Sequence, residues 1–195
     1  MKMKKVIIFD VDGVITDSGQ NKEDIIQAIL QKHGLFDIPW VADIFWIWLN
    51  RILLLDKIYK IHEFDKQLVL SEINRELAIQ ESQVSLIPDT AEFIKNNYEK
   101  YDFFTNTSLP KTSLTTIVQK LNLSEYFIEF LCYDTGCKKE NIEYVMQVYN
   151  ISAENIVFID DKISHINAVK DTGVNTLLFV DDGVSLEEKI NNIFT

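Results

Sequence analysis

Short apolar runs alternate with segments of helical periodicity along most of this chain. The apolar runs are rich in Val, Ile and Phe and have the length of buried strands; they lie at 6–9, 103–104, 156–159 and 176–180. Apolar residues recur at helical spacing in further segments, at 111–121, 140–149, 163–170 and 185–194. Strands that alternate with helices are typical of a parallel sheet. The sequence therefore predicts an α/β fold with a doubly wound parallel sheet.

The first two apolar runs are separated by roughly ninety residues, which is far longer than a crossover built from one helix. The intervening segment has few Gly or Pro residues and carries apolar residues at helical spacing, such as Ile25 and Ile29. We interpret it as a small helical domain over 18–87, inserted into a core formed by 1–17 and 88–195. Its large aromatic residues are interpreted as domain core rather than pocket lining: Trp40, Phe45, Trp46 and Trp48.

The composition limits the partners and the compartment. With 30 acidic against 19 basic side chains the formal net charge is -11, which disfavours binding to nucleic acid or to an anionic membrane surface. The most apolar stretch, 44–55, is interrupted by charges well before it reaches the length of a membrane span. Cys132 and Cys137 lack the partners of a zinc site and indicate thiols in a reducing compartment. We therefore expect a cytoplasmic protein without a membrane segment.

Polar side chains stand at the ends of the predicted strands, and two lysines precede the third strand. The group contains carboxylates, a hydroxyl, an amide and ammonium groups: Asp10, Asp12, Thr105, Asn106, Lys138, Lys139, Asp160 and Asp161. Because ligands of an open parallel sheet bind at the carboxyl ends of its strands, we expect these side chains to converge on one crevice.

The same positions carry four ordered motifs that resemble those of the haloacid dehalogenase-like (HAD) hydrolase superfamily. Phe-Asp-Val-Asp-Gly-Val-Ile-Thr-Asp-Ser at 9–18 is similar to the first motif, and Phe-Phe-Thr-Asn at 103–106 resembles the second. One of the two lysines matches the third motif, and Phe-Ile-Asp-Asp at 158–161, continued to Gly173, resembles the fourth. The resemblance covers nearly all of the predicted core and implies a Rossmann-like fold. The helical insertion lies where this family has a cap domain.

The resemblance implies a phosphatase that acts on a small phosphorylated metabolite. Asp10 would be the nucleophile that forms an aspartyl-phosphate. Asp12 would act as general acid toward the leaving oxygen and then as general base for water. Thr105 and the backbone amide of Asn106 would bind the phosphoryl oxygens, and a lysine, Lys138, would offset their remaining negative charge.

A carboxylate nucleophile and an anionic phosphate repel each other, so a cation is needed between them. The resemblance implies Mg²⁺, held by Asp10, the backbone carbonyl of Asp12 and Asp161, with Asp160 holding a coordinated water. Asp161 is preferred over Asp160 as the direct ligand because counting back from Gly173 places it at the usual metal position of the family.

The third-motif lysine has two candidates. Lys138 is preferred over Lys139 because it precedes Ile142, the first apolar helical position, by the spacing usual in the family. This sequence lacks the proline that commonly follows that lysine, so both candidates stay open.

Two other functions share these motifs. A sugar phosphomutase would use Asp10 and Asp12 but return the phosphoryl group to a second hydroxyl of the sugar. A non-catalytic regulatory protein would keep the fold, although an idle site has no need for mutually repelling carboxylates. His33, His62 and His165 share no metal-ligand spacing and are interpreted as surface or capping residues. Neither the substrate nor the oligomeric state follows from the sequence.

Overall fold

The structure, a computed structural model, describes residues 4–38, 41 and 51–194. The chain forms two compact units, Met1–Asp17 with Val84–Thr195, and Ser18–Gln83. The first unit contains the sheet, and the described elements of the second are helices. The aromatic residues Trp40, Phe45, Trp46 and Trp48, predicted to belong to a helical core, lie outside the described residues.

A five-stranded sheet forms the centre of the first unit. Its strands are β1 (Lys5–Phe9), β2 (Tyr101–Asn106), β3 (Glu129–Leu131), β4 (Ile156–Asp160) and β5 (Asn175–Leu178). All neighbouring pairs are parallel, in the order β3-β2-β1-β4-β5. The predicted doubly wound parallel sheet is confirmed. Because β1 lies between β2 and β4, the carboxyl ends of these three strands meet at the point where the strand order reverses.

Eight α-helices lie in the part of the chain that the structure describes. They are α1 (Gly19–Lys32), α2 (Arg51–Tyr59), α3 (Lys66–Glu81), α4 (Pro88–Asn97), α5 (Lys111–Lys120), α6 (Lys138–Val148), α7 (Ile163–Val169) and α8 (Leu186–Phe194). Single 3₁₀ turns occur at Tyr133–Thr135, Ala153–Asn155 and Lys170–Thr172. None of the described helices combines the length and the hydrophobicity that crossing a bilayer requires.

Both faces of the sheet are buried, which is why its central strands are continuous apolar runs rather than alternating ones. In β1, Ile7 and Phe9 belong to one core layer and Val6 and Ile8 to the other. The first layer also contains apolar residues of α4, α5 and α8, and the second contains those of α6 and α7. Helices therefore cover the sheet on both sides, and the buried apolar residues that follow β1 pack in the first layer: Val11, Val14 and Ile15.

The second unit has a core of its own, to which α1, α2 and α3 contribute. Fully or nearly fully buried residues of this core include Leu30, Leu55 and Ile73. Helix α3 begins after Asp65, whose side chain accepts a hydrogen bond from the backbone N–H of Leu68. Such an N-cap satisfies one of the amide groups left free at a helix start.

The two chain segments that join the units are hydrogen-bonded to each other inside the first unit. Thr16 and Leu86 form an antiparallel bridge, and the carboxylate of Asp17 accepts hydrogen bonds from the backbone N–H and the hydroxyl of Ser85. These bonds attach residues 84–87 to the sheet unit. The chain therefore returns from the second unit to the first at 83–84, whereas the expected boundary was 87–88.

Strand β3 was absent from the sequence-based interpretation. It has only three residues, lies at an edge of the sheet and is mostly half-buried, so it leaves no continuous apolar run. The other strands begin or end within a few residues of their predicted limits. The predicted helices at 111–121, 163–170 and 185–194 correspond to α5, α7 and α8, and α6 begins two residues before its predicted start at 140.

Candidate active site

The chain turns sharply directly after β1. The backbone N–H of Asp10 donates to the carbonyl of Ile159, at 2.8 Å, which ties this position to the end of β4. The carbonyl of Val11 accepts from the backbone N–H of Thr16 at 2.9 Å, and Gly13 donates to the carbonyl of Thr16 at 2.7 Å. Gly13 has a φ of 78°, a conformation that residues with a Cβ rarely adopt. The turn holds Asp10, which is 5% exposed, and the half-buried Asp12 on one short loop.

Lys138, the first residue of α6, extends its ammonium group to the end of β1. Its Nζ lies 2.7 Å from Asp160 Oδ2, 3.0 Å from Asp10 Oδ1 and 2.9 Å from the carbonyl oxygen of Asn106. Its side chain is only 8% exposed. Lys139, the alternative candidate, is instead more exposed and lies 3.7 Å from Asp171. The structure thus brings Lys138, and not Lys139, to the predicted nucleophile.

A buried amide network fixes the start of α6 against the end of β2. Asn106 Nδ2 donates to the carbonyl of Lys138 at 2.8 Å, and Asn141 Nδ2 donates to Asn106 Oδ1 at 3.0 Å. Asn106 and Asn141 are 0% and 2% exposed. The side chain of Asn106 therefore positions the backbone of Lys138. The buried hydroxyl of Thr105 donates to the carbonyl of Leu131, so a phosphoryl oxygen would have to replace that acceptor.

Asp160, the last residue of β4, is fully buried and receives donors from three sides. Besides Lys138 Nζ, the backbone N–H of Lys162 lies 2.9 Å from Oδ1, and His165 Nδ1 lies 3.0 Å from Oδ1 and 3.1 Å from Oδ2. Burial acts to raise the pKa of Asp160, but the His165 hydrogen bond and the charge of Lys138 outweigh it, and the pKa is lowered. Asp160 is thus held as a carboxylate.

Asp161, the next residue, has the opposite surroundings. Its side chain lies directly against Gly13, where a Cβ would be 2.7 Å from Asp161 Cγ. Burial, together with the charges of Asp10 and Asp160, raises the pKa of Asp161 to about 6. Its Oδ1 is buried and accepts no hydrogen bond from the residues that the structure describes.

The charges at this site do not balance. The pKa of Asp10 is raised, chiefly by burial, and also by Asp160 and Asp12, although Lys138 acts against the shift. The ion pair between Asp10 Oδ1 and Lys138 Nζ lacks hydrogen-bond alignment, so Oδ1 has no aligned donor among the described residues. Asp161 Oδ1, which has no hydrogen-bond donor among the described residues, and Asp10 Oδ1, which has no aligned one, lie beside a shared ammonium group, and this arrangement fits the binding of a hard divalent cation.

Asp10, Asp160 and His165 could offer three ligand atoms to a metal ion, all within 4.8 Å of one another. Lys138 Nζ, however, contacts both of these carboxylates, so a cation already lies between Asp10 and Asp160. Asp160 also has its oxygens committed to donors, whereas Asp161 Oδ1 does not. Asp10 with Asp161 is therefore the better pair for a metal ion.

The structure brings the predicted site residues to the carboxyl ends of β1, β2 and β4. These are Asp10, Asp12, Thr105, Asn106, Lys138, Asp160 and Asp161. Two residues of the site were missed, Asn141 and His165. Asn141 lies three residues after Lys138 on the same helix face, next to the apolar Ile142, and a polar residue there could have been noticed. His165, interpreted as a surface or capping residue, is 19% exposed and contacts Asp160.

A doubly wound parallel sheet with clustered aspartates at its strand switch point is typical of an α/β enzyme. The chain belongs to the haloacid dehalogenase-like hydrolase family, whose model matches residues 7–179. The predicted family membership is confirmed. No match to this chain was found among curated proteins.

Solved structures share this fold at low sequence identity. A protein described as the HAD-hydrolase YfnB from Bacillus subtilis, bound to magnesium, is 19% identical with a TM-score of 0.72, and 100% of each chain is covered. A predicted phosphoglycolate phosphatase from Haemophilus somnus is 17% identical with a TM-score of 0.71, over 90% of this chain and 85% of that one. CbbY from Rhodobacter sphaeroides, in complex with phosphate, is 12% identical with a TM-score of 0.68, over 89% and 85%.

Proposed function

We propose that this enzyme is a magnesium-dependent phosphatase that hydrolyses a small phosphorylated metabolite through an aspartyl-phosphate on Asp10. The observation that carries the proposal is the position of Asp10. Its carboxylate is buried at the end of β1, lies 3.0 Å from Lys138 Nζ and has an oxygen without an aligned donor. A carboxylate in that state is available as a nucleophile, and the ammonium beside it can receive an anionic phosphate.

Two displacements at phosphorus make up the reaction. A carboxylate oxygen of Asp10 attacks phosphorus, and the bond between phosphorus and the leaving oxygen breaks as Asp12 gives that oxygen its proton. Water then attacks the aspartyl-phosphate, Asp12 takes a proton from the water, and the bond between phosphorus and Asp10 breaks to release inorganic phosphate. Asp12 suits this double role because it lies two residues from Asp10 and is half-buried, so it can reach solvent.

Each remaining group has one task in this scheme. Lys138 neutralises part of the charge on the transferring group, and Asn106 and Asn141 hold the start of α6 so that Lys138 keeps its place. Thr105 binds a phosphoryl oxygen after its hydroxyl turns from the carbonyl of Leu131.

Magnesium would be held by Asp10, the backbone carbonyl of Asp12 and Asp161, with Asp160 near its coordinated water. Bound there, it would supply positive charge that reduces the repulsion between the nucleophile and the phosphate. The Oδ1 atoms of Asp10 and Asp161 support this ligand set, because neither has an aligned hydrogen-bond donor among the described residues. So do the described fold relatives, one bound to magnesium and one in complex with phosphate.

The proposal extends to the second unit and to the compartment. We propose that the helical unit Ser18–Gln83 is the cap that selects among leaving groups. A cytoplasmic location is consistent with the free thiols of Cys132 and Cys137.

A turnover screen tests the function. The purified protein is incubated with a panel of phosphorylated metabolites and magnesium, and released phosphate is measured. Asp10→Asn should abolish release, because an amide keeps the shape of the side chain but cannot form the acyl-phosphate. Asp182→Asn, which alters an exposed aspartate paired with Lys189 at 2.6 Å, is the matched control and should retain activity. Phosphate release by Asp10→Asn would refute the nucleophile, and an isomerised sugar phosphate without free phosphate would indicate a mutase.

A further inference from the structure

His165 is the residue of the site that the scheme above leaves without a task. It lies on α7, five residues after Asp160, and its Nδ1 is within 3.1 Å of both carboxylate oxygens of Asp160. Asp160 is fully buried, so no solvent can replace this donor. A buried carboxylate that loses a donor is left with an unsatisfied, charged acceptor, which is costly.

Asp160 in turn holds Lys138. The Nζ of Lys138 is closer to Asp160 Oδ2, at 2.7 Å, than to Asp10 Oδ1, at 3.0 Å. Lys138 Nζ donates a hydrogen bond to Asp160, whereas its contact with Asp10 is an ion pair without an aligned hydrogen bond. The lysine is therefore shared unequally, and Asp160 keeps it from pairing fully with the nucleophile.

We propose that His165 is a positioning residue, whose Nδ1–H fixes the Asp160 carboxylate so that Lys138 stays between Asp160 and Asp10. The inference rests on the proposed phosphatase function for its effect on rate, but not for its geometry. Without the His165 donor, Asp160 loses its fixed orientation and Lys138 moves toward Asp10. An ammonium group that pairs fully with Asp10 lowers the reactivity of the nucleophile, so kcat falls while KM changes little.

The contacts of His165 Nδ1 do not suit a direct metal ligand. The place between Asp10 and Asp160 contains the ammonium group of Lys138, and Nδ1 of His165 is directed to Asp160. A metal ligand at Nδ1 would need a free lone pair on that nitrogen, whereas the proposed role needs a proton on it. The two roles therefore predict different responses to substitution.

Three substitutions of His165 separate the two ring nitrogens. Asn carries its amide nitrogen at the same distance from Cβ as Nδ1, Gln carries it near the place of Nε2, and Leu has no donor. We expect His165→Leu and His165→Gln to lower kcat about 10–100-fold with KM within about 3-fold, and His165→Asn to stay within about 3-fold of the wild type. His33→Leu is the matched control, because His33 also pairs with a carboxylate, Glu72 at 3.1 Å, in the helical unit. Rescue by Gln but not by Asn would overturn the proposal.

A double-mutant cycle tests whether His165 acts through Asp160. In an Asp160→Asn background, His165→Leu should lower kcat by less than about 2-fold, because neighbours that act as one unit are not additive. An undiminished loss in that background would assign His165 a direct role and refute the proposal. Melting curves of every variant show whether a loss of activity reflects unfolding, and in that case the Asn and Gln variants decide the question.

The position of the proton is measured without turnover. Long-range ¹H–¹⁵N correlation spectra of the metal-free protein should show His165 Nδ1 in its protonated form. An unprotonated Nδ1 would overturn the proposal. This measurement remains decisive if the wild type releases no phosphate from any substrate, an outcome that would refute only the proposed function.

Discussion

Replacing Gly13 by alanine would test the contact between the first loop and Asp161. Gly13 has a φ of 78°, and a Cβ there would lie 2.7 Å from Asp161 Cγ and closer still to Oδ2. The loop is held by bonds to Val11 and Thr16 and cannot move away easily. Asp161 must therefore shift to admit the methyl group.

Two costs of Gly13→Ala can be separated. The left-handed backbone costs an alanine about 1–2 kcal/mol, which corresponds to roughly 2–8 °C in melting temperature for a chain of this size. The second cost is a displacement of Asp161. Carbon atoms in contact prefer a separation of about 3.5–4.0 Å, so Asp161 Cγ must move roughly 1 Å away from the new Cβ. A misplacement of about 1 Å at a reacting site can lower the rate about 100-fold. Magnesium affinity should fall with it if Asp161 is a ligand.

Gly183 provides the matched control. It has the same φ of 78°, but nothing lies within 4 Å of the position that its Cβ would occupy. Gly183→Ala should therefore show the same loss of melting temperature with kcat within about 3-fold of the wild type, since only backbone strain is added. The assay combines thermal unfolding, phosphate release and calorimetric magnesium binding. A folded Gly13→Ala variant with wild-type kcat and magnesium affinity would refute the assignment of Asp161.

Asp161→Asn should raise the melting temperature of the metal-free protein by about 2–4 °C near pH 7.5 and by less near pH 5. The pKa of Asp161 is raised to about 6. Its contribution to stability is therefore complete below 3.8, the pKa of the unfolded state, and is lost as the pH rises through about 6. Melting curves at both pH values check this. Asp17→Asn should lower the free energy of unfolding by less than about 1 kcal/mol near neutral pH, because this carboxylate is exposed and screened. The Ser85 hydrogen bonds lower the pKa of Asp17 in the folded protein. Urea titrations should therefore show the stability difference between wild type and Asp17→Asn at pH values above the pKa of the unfolded state, and its loss as the pH falls through the pKa of the folded state. Chelation should abolish phosphate release, and Mg²⁺ but not Ca²⁺ should restore it, because Ca²⁺ takes more ligands at longer distances.

The sheet could be predicted where its strands are buried on both faces. β1 and β4 each contain a continuous apolar run that is followed directly by an aspartate, and both strands were located within one residue. β3 could not be found, since a three-residue edge strand is defined by its pairing with β2 and not by its own composition. The boundary at 83–84 depends on Ser85 binding Asp17, a contact that no local pattern indicates.

The site was predictable to the extent that its residues stand at strand ends. That rule predicts Asp10, Thr105 and Asp160, because each is the last residue of a strand or its neighbour in sequence. The choice of Lys138 rested on its spacing to Ile142, because the sequence placed the start of α6 at 140, two residues after the start in the structure. His165 was not predictable, because its contact with Asp160 is a tertiary contact that no local sequence pattern indicates.

Asp160 and Asp161 are adjacent in sequence but have opposite environments. The fully buried Asp160 receives donors from Lys138, Lys162 and His165, and its pKa is lowered, whereas Asp161 has a buried oxygen without a donor and a pKa raised to about 6. Carboxylates whose surroundings shift their pKa values in opposite directions commonly have different roles. Asp160 is suited to hold a cation that belongs to the protein, the ammonium group of Lys138. Asp161 has spare negative charge and is suited to a cation that binds from solution. In the proposed mechanism, Lys138 is already shared with Asp160 and would not alone offset the charges of Asp10 and an incoming phosphate, so a second cation would be needed for Asp10 to approach phosphorus.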